Sequence, residues 1–304
     1  MKEMPKIIVV LGQTATGKSD FAVEIAQTLQ NKVLGEIISA DSRQVYRGMN
    51  LGTGKITYKE MRGVPHHLLD IISPKKTFTV SEFKKLADKK IDEILERGNI
   101  PIVCGGTGFY IDALVDNIIL PEVPPNSALR EGLNKKTAAQ LVILLRKLDP
   151  GRAKVIDINN KVRLIRAIEI ANALGKVPKI KGKQKYDVLK IGLALPDEVL
   201  KEKIRTRLTA RIKKGMLKEI KSLHDKGVSW RRMQELGLEY RYGALYLQKK
   251  ISKQEMIEKL NTEIWHYAKR QKTWFKRDQE TAWIDPRKES ERRKVTKKIS
   301  EFLK

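Results

Sequence analysis

Gly12-Gln13-Thr14-Ala15-Thr16-Gly17-Lys18-Ser19 has the spacing G-x-x-x-x-G-K-S, a phosphate-binding arrangement when a strand precedes it and a helix follows. Glycines let consecutive backbone N–H groups wrap a diphosphate at a helix N-terminus. The Lys18 ammonium neutralises its oxygens, and the Ser19 hydroxyl is suited to Mg²⁺. The motif says that a di- or triphosphate is held, not what carries it. Further along, Asp41-Ser42-Arg43-Gln44-Val45-Tyr46 follows a second short apolar run, which places Asp41 at a strand end beside the phosphate loop. A carboxylate there can take a proton from a nucleophile, hold Mg²⁺ through water, or simply cap the turn. A third apolar run ends in Gly105-Gly106-Thr107-Gly108. These glycines admit close backbone approach, and the Thr107 hydroxyl could donate to a departing phosphate oxygen; a plain turn is the other reading.

Three further groups invite chemistry. His66 and His67 are adjacent and point apart on an extended chain, with no third ligand at a sensible spacing, so packing or substrate positioning is preferred to zinc. Arg207 and Arg211, four residues apart, fall on one helix face and can clamp phosphate oxygens, although a solvated basic face fits the spacing equally well. Trp265, Tyr267, Trp274, Phe275 and Trp283 interleave with Lys269, Arg270, Lys272, Lys276 and Arg277, a mixture suited to stacking on unpaired bases, with some rings needed for core.

The elements that must position these residues follow from apolar periodicity. Lys6–Leu11 reads as a strand buried on both faces of a parallel sheet, and Ser19–Leu29 as a helix with apolar residues at 21, 22, 25, 26 and 29. Glu36–Ala40 is a second strand, Lys84–Arg97 an amphipathic helix and Ile100–Cys104 a third strand. This alternation predicts an open α/β sheet with right-handed crossovers. Around Pro121, Pro124 and Pro125 the rhythm changes to helix alone as far as about Asn172, which reads as an insertion. Leu174–Tyr186, with five lysines, reads as a mobile basic linker, and Val188–Leu195 as a strand returning to the sheet. The expected division is a core of 1–120 and 187–304 around a helical insertion of 121–186, followed by mostly helical, basic C-terminal sequence.

Composition narrows the class. The 304 residues carry 62 Lys plus Arg against 36 Asp plus Glu, a net charge of +26, yet 41% are hydrophobic, so the chain can bury a core. Basic residues number 28 against 19 acidic in 1–180 and 34 against 17 in 181–304, which concentrates the positive field in the C-terminal part. A polyanionic partner, most simply nucleic acid, fits that field. The single cysteine, Cys104, excludes an intramolecular disulfide framework and agrees with a cytoplasmic setting. No apolar run is long enough for a membrane span. Up to this point a small-molecule P-loop kinase and a non-catalytic RNA-binding P-loop protein both stay open.

Taken together, the segments GQTATGKS (12–19), DSRQVY (41–46), GTGK (52–55), PHHLLD (65–70), GGTGFY (105–110), RLIRA (163–167), RLTAR (207–211) and KRQKTW (269–274) resemble the tRNA dimethylallyltransferase family, bacterial type. The resemblance implies a P-loop NTPase-like core with an inserted helical domain. It implies transfer of a dimethylallyl group from dimethylallyl diphosphate to N6 of the adenosine 3′-adjacent to the anticodon. By that resemblance the P-loop, Gly12 to Ser19, holds dimethylallyl diphosphate rather than ATP; Asp41 is the base, Thr107 contacts the reacting centre, and Arg211 with Lys18 stabilises the leaving diphosphate. Mg²⁺ is implied at Ser19. Contacts to the tRNA anticodon stem-loop are implied for Asp41, Ser42, Arg43 and Gln44, for Thr107 and Arg130, and for Val162, Arg163, Leu164, Ile165 and Arg166. A monomer without membrane attachment is expected.

Overall fold

The computed structural model describes residues 4–29, 33–178 and 182–304. In chain order, β1 (Lys6–Gly12), α1 (Lys18–Leu29), β2 (Gly35–Ser39), α2 (Tyr58–Met61), β3 (His66–His67), α3 (Val80–Glu96), β4 (Ile100–Gly105) and α4 (Gly108–Val115) build the first half of an α/β unit. The helical segment α5 (Ser127–Asn134), α6 (Ala138–Leu148), α7 (Pro150–Val155) and α8 (Lys161–Leu174) follows. The chain then adds β5 (Asp187–Leu193), α9 (Asp197–Lys213), α10 (Met216–Asp225), α11 (Trp230–Glu235), α12 (Leu238–Leu247), α13 (Lys253–Phe275), β6 (Ala282–Ile284) and α14 (Glu289–Phe302). Two compact units result, 1–117 with 184–304, and 118–183. The reading of 174–186 as a linker falls partly on 179–181, outside the described residues.

Every strand pair in the sheet is parallel, in the order β3-β2-β4-β1-β5-β6. Lys6–Gly12 shows why a continuous apolar run suits this position. Ile7, Val9 and Leu11 enter a cluster with Phe83, Ala87 and Ile91 of α3, whereas Ile8 and Val10 enter a second with Phe21, Ile25 and Ala26 of α1. Both faces are therefore covered, as parallel sheets require. A third apolar cluster joins α9 to α13 around Leu208, Ile220, Met233, Tyr240 and Leu260, and takes in Val45, Tyr46 and Met49 from the segment after β2. That cluster sets the C-terminal helices against the loops at the carboxyl ends of the strands, where open α/β sheets bind ligands.

Several elements differ from the periodicity reading. Helix α3 begins four residues before Lys84, because Thr79 and Glu82 form a capping box: the Thr79 side chain accepts from Glu82 N, and the Glu82 carboxylate accepts from Thr79 N. Strands β3 and β6 are two and three residues long and exist only through pairing with β2 and β5. No helix among the described residues is long and apolar enough to cross a membrane.

Within the helical unit, Leu133, Leu141, Leu145, Leu164 and Ile168 form its core. Glu169 is also inside, its side chain 1% exposed. One oxygen accepts from Asn126 N (2.7 Å) and Arg130 Nε (2.8 Å); the other accepts from Arg130 Nη2 (2.7 Å) and from Arg166. Burial pushes this carboxyl up, but Arg130, the Asn126 N–H and Arg166 outweigh it and hold it at about 2 against an ordinary 4.5. Such a group stabilises the fold fully above about pH 4.5 and loses that contribution as pH falls through about 2. Glu169→Ala should cost the helical unit about 2 to 3 kcal/mol, less than a wholly buried pair because both arginines reach solvent. Amide hydrogen exchange along α8 measures this, and unchanged protection there would remove Glu169 as the organiser of the unit.

Candidate active site

The loop after β1 leads into α1 and is shaped from behind. Gln13 Nε2 donates to Ala268 O (3.1 Å), and Thr14 N donates to Gln271 Oε1 (2.7 Å), so helix α13 pins the loop's first turn. Gln271 Nε2 in turn donates to Gly106 O (2.7 Å), tying the same helix to the loop after β4. The glycines of that loop find their reason here: a Cβ on Gly106 would lie 2.4 Å from Gln271 Nε2, and one on Gly108 2.2 Å from the Trp274 ring. Close helix packing, rather than substrate approach, demands glycine at both positions.

A cavity of about 610 Å³ opens at these strand ends. Thr14, Ala15, Gly17, Lys18 and Ser19 line it, while Gly12, Gln13 and Thr16 stand behind and hold the loop. Lys18 Nζ donates to Gln13 O (2.6 Å), and burial lowers its ammonium to about 8. Asp41 and Gln44 reach the cavity from the segment after β2. Asp41 Oδ1 accepts from Arg43 N (2.8 Å) and Gln44 N (3.3 Å), whereas its Oδ2 has no partner among the described residues. The turn-capping and site-facing readings of Asp41 therefore both hold, one oxygen for each. Thr107 does not line the cavity. Its hydroxyl accepts from Ser42 N (3.0 Å) and donates to Ser42 Oγ (3.3 Å), bracing the turn that carries Asp41.

Opposite the phosphate loop stand Arg207 and Arg211 of α9, on one face as the i,i+4 spacing requires. Arg211 Nη1 donates to Glu239 Oε1 (3.3 Å) and Gly52 O (3.4 Å), but its Nη2 is buried without an acceptor. Arg207 makes no hydrogen bond or ion pair among the described residues, and burial, then its neighbour Arg211, lowers it to about 10. Buried donors of this kind are completed by an anion. Ile37, Leu51, Ile56 and Leu69 add an apolar wall, so the cavity suits a ligand with a polyanionic end and a small hydrocarbon end.

A family profile described as IPP transferase matches residues 44–278. The chain belongs to the IPP transferase family. Among its curated relatives, a tRNA dimethylallyltransferase 2 of Treponema denticola is 45% identical over 276 residues, covering 89% of this chain and 91% of that one. A tRNA dimethylallyltransferase of Bacillus cytotoxicus is 37% identical over 294 residues, covering 93% and 91%. The structure of the full-length tRNA isopentenylpyrophosphate transferase from Bacillus halodurans matches with a TM-score of 0.74 at 34% identity, over 99% of this chain and 97% of that chain. A eukaryotic dimethylallyltransferase described as acting on tRNA gives 0.74 at 29% identity, over 89% and 69%. The P-loop NTPase-like architecture is thus that of the IPP transferase family.

Other expected residues lie elsewhere. Arg130 and Arg166 are engaged by Glu169, and Leu164 and Ile165 are core of the helical unit, so the latter two offer RNA no side-chain surface. Within 162–166 the outward side chains are Val162, 77% exposed, Arg163 and, beside its pairing with Glu169, the partly exposed Arg166; Arg130 is partly exposed as well. His67 Nε2 pairs with Glu36 (2.7 Å) and His66 Nδ1 with Val64 O (2.8 Å); among the described residues no three ligands gather for a metal. Of the interleaved aromatics, Phe275 is sheet core, Trp274 Nε1 donates to Asp112, Trp265 packs on the helical cluster, and only Tyr267 lines the cavity. The spacing of basic and aromatic residues gives Gln271 no role; its place inside KRQKTW is the one signal the sequence carries for it.

Lys18 titrates near 8 in the free protein, and a bound diphosphate raises it, so binding takes up a proton above that pH. Compared with a Lys18→Ala protein, which cancels the protonation of pyrophosphate itself, affinity for inorganic pyrophosphate should carry an extra fall above about pH 8 of up to about tenfold per pH unit. Calorimetry in buffers of different ionisation enthalpy checks this; equal affinity and equal proton uptake in the two proteins at about pH 7 to 9.5 would show that Lys18 is not at the anion.

Proposed function

We propose that this chain transfers the dimethylallyl group of dimethylallyl diphosphate to N6 of the adenosine 3′-adjacent to the anticodon of tRNA, releasing diphosphate. The observation that carries the reading is the single cavity in which the phosphate loop, the incompletely paired Arg211 guanidinium and a carboxylate with one free oxygen meet beside an apolar wall. The diphosphate lies on the N–H groups of Ala15 to Ser19, with Lys18, Arg207 and Arg211 around its oxygens and the isoprenoid against Ile37, Leu51, Ile56 and Leu69. Asp41 Oδ2 faces the adenine amine, held there by the two N–H bonds to its other oxygen.

Adenine N6 is a weak nucleophile because its lone pair is conjugated into the ring. As the N6–C1 bond forms, the N6 proton passes to Asp41, and the C1–O bond breaks to leave pyrophosphate. Charge accumulating on the departing oxygens is met by cations already desolvated and in place. An oxygen donor set of Ser19 Oγ and, through water, Asp41 fits Mg²⁺, an ion that takes most of its ligands from phosphate and water; when bound, it would further neutralise the diphosphate. The target base must leave its stack in the anticodon loop to enter the cavity. The net charge of +26 supports the RNA as partner, with Val162 and Arg163 of α8 as outward candidates for contact. A monomer in the cytoplasm completes the reading.

Purified protein given labelled dimethylallyl diphosphate and tRNA should place label in the RNA, with AMP a far poorer acceptor. ADP formation from ATP with a small acceptor, and no label in RNA, would replace this function with a kinase. Asp41→Asn keeps the acceptor for Arg43 and Gln44 but not the base, so kcat should fall by roughly 10² to 10⁴ with tRNA affinity nearly unchanged. Normal turnover with lost tRNA binding would take the base assignment away from Asp41.

A further inference from the structure

Three successive backbone N–H groups converge on one carboxylate outside the cavity. Glu219 Oε2 accepts from Asn50 N (2.9 Å) and Leu51 N (2.8 Å), and its Oε1 accepts from Gly52 N (3.1 Å) and from the Tyr240 hydroxyl (2.7 Å). Consecutive N–H groups turned to one side form a concave anion site, and here a side chain of α10 fills it. The loop is held at its other end as well, because Lys55 Nζ donates to Tyr46 O (2.8 Å) and to Asp70 (2.5 Å).

What lies between those two anchors is the backing of the arginine pair. Gly52 O accepts from Arg211 Nη1, and a Cβ on Gly54 would stand 1.5 Å from Arg211 Nη2 and 2.3 Å from Arg207 Nη2. The main chain at 52–54 therefore touches both guanidiniums, and a shift of a few tenths of an ångström in that loop is a shift in where they can reach. Gly52 itself packs on the Tyr240 ring, where a Cβ would come within 2.5 Å, so the aromatic sets the loop's depth while the carboxylate sets its register.

We propose that Glu219 is a positioning residue for group transfer: by clamping the N–H groups of 50–52 it fixes the loop against which Arg207 and Arg211 are aimed at the diphosphate. It touches no reacting atom: it reaches the diphosphate through the arginines and the hydrocarbon through Leu51 of the same loop, and inorganic pyrophosphate, which has no hydrocarbon, reads the first route alone. The inference rests on the cavity being the diphosphate site, and the test separates the two.

Glu219→Gln in the full chain keeps the volume and one acceptor oxygen but turns an NH₂ toward N–H groups that need an acceptor. Inhibition by inorganic pyrophosphate should weaken by about tenfold, the worth of roughly one hydrogen bond, with KM for dimethylallyl diphosphate rising in step and KM for tRNA unchanged within about twofold. In an Arg207→Ala/Arg211→Ala background the same substitution should add less than about twofold, because its route of action has gone. An undiminished loss in that background, or unaltered pyrophosphate inhibition in a folded Glu219→Gln protein, overturns the proposal. Should Glu219→Gln not fold, Tyr240→Phe removes one bond and leaves the three N–H bonds; it should weaken inhibition about two- to threefold, again only when the arginine pair is present, and an equal effect in the Arg207→Ala/Arg211→Ala background overturns the proposal. If Arg211→Ala and Lys18→Ala both leave pyrophosphate inhibition intact, the diphosphate reading of the cavity fails, and Glu219's role falls with it.

Discussion

A guanidinium taken out of water needs an acceptor for each N–H it has turned inward, and the fold supplies Arg211 with too few. Glu239 and Gly52 O serve Nη1 at 3.3 and 3.4 Å, both long, while Nη2 is buried with nothing. Arg207 beside it, partly buried, faces the cavity with no acceptor among the described residues, and Lys18, also lining it, rests on a backbone carbonyl and titrates near 8. Each of these cations has been brought to an energetically poor position that an anion improves. The rest of the unit can be understood as what holds them there: the parallel sheet that presents the strand ends, the helical cluster behind α9, and the loops that fill the space between.

Much of that arrangement was legible because it rests on local rules. A continuous β-branched run before G-x-x-x-x-G-K-S can only be an inner strand feeding a phosphate loop, and β1, α1 and Asp41 fall where that rule puts them. The i,i+4 spacing of Arg207 and Arg211 likewise put both on one face of α9. Elements defined by pairing rather than by pattern stayed hidden: β3 and β6 are too short to show a period, and α3 gained a turn from the Thr79–Glu82 box that apolar spacing does not register.

Charges were the hardest to place. That Arg130 and Arg166 also brace a buried acid was not legible, since nothing in a helical repeat says that Glu169 points inward, yet its i,i+3 spacing from Arg166 was a visible hint. Glu219 gave no signal at all; one of two acids on an amphipathic helix looks solvated until three N–H groups from residues 50–52 are seen to meet it. The aromatic and basic interleaving near the C-terminal end pointed to stacking, whereas Trp274 and Phe275 turned out to secure α13 against the sheet.

Gln271 gives this architecture a temporal order. The first turn of the phosphate loop, at Thr14, is closed by a side chain 257 residues downstream, and the same amide fastens the loop after β4. While the nascent polypeptide is emerging from the ribosome, its opening strand and helix can collapse early, but the pocket they bound stays unfinished until residue 271 has been made. Contacts of such long sequence separation close last and slowly. The loops after β1 and β4 thus lack their shared brace until α13 docks.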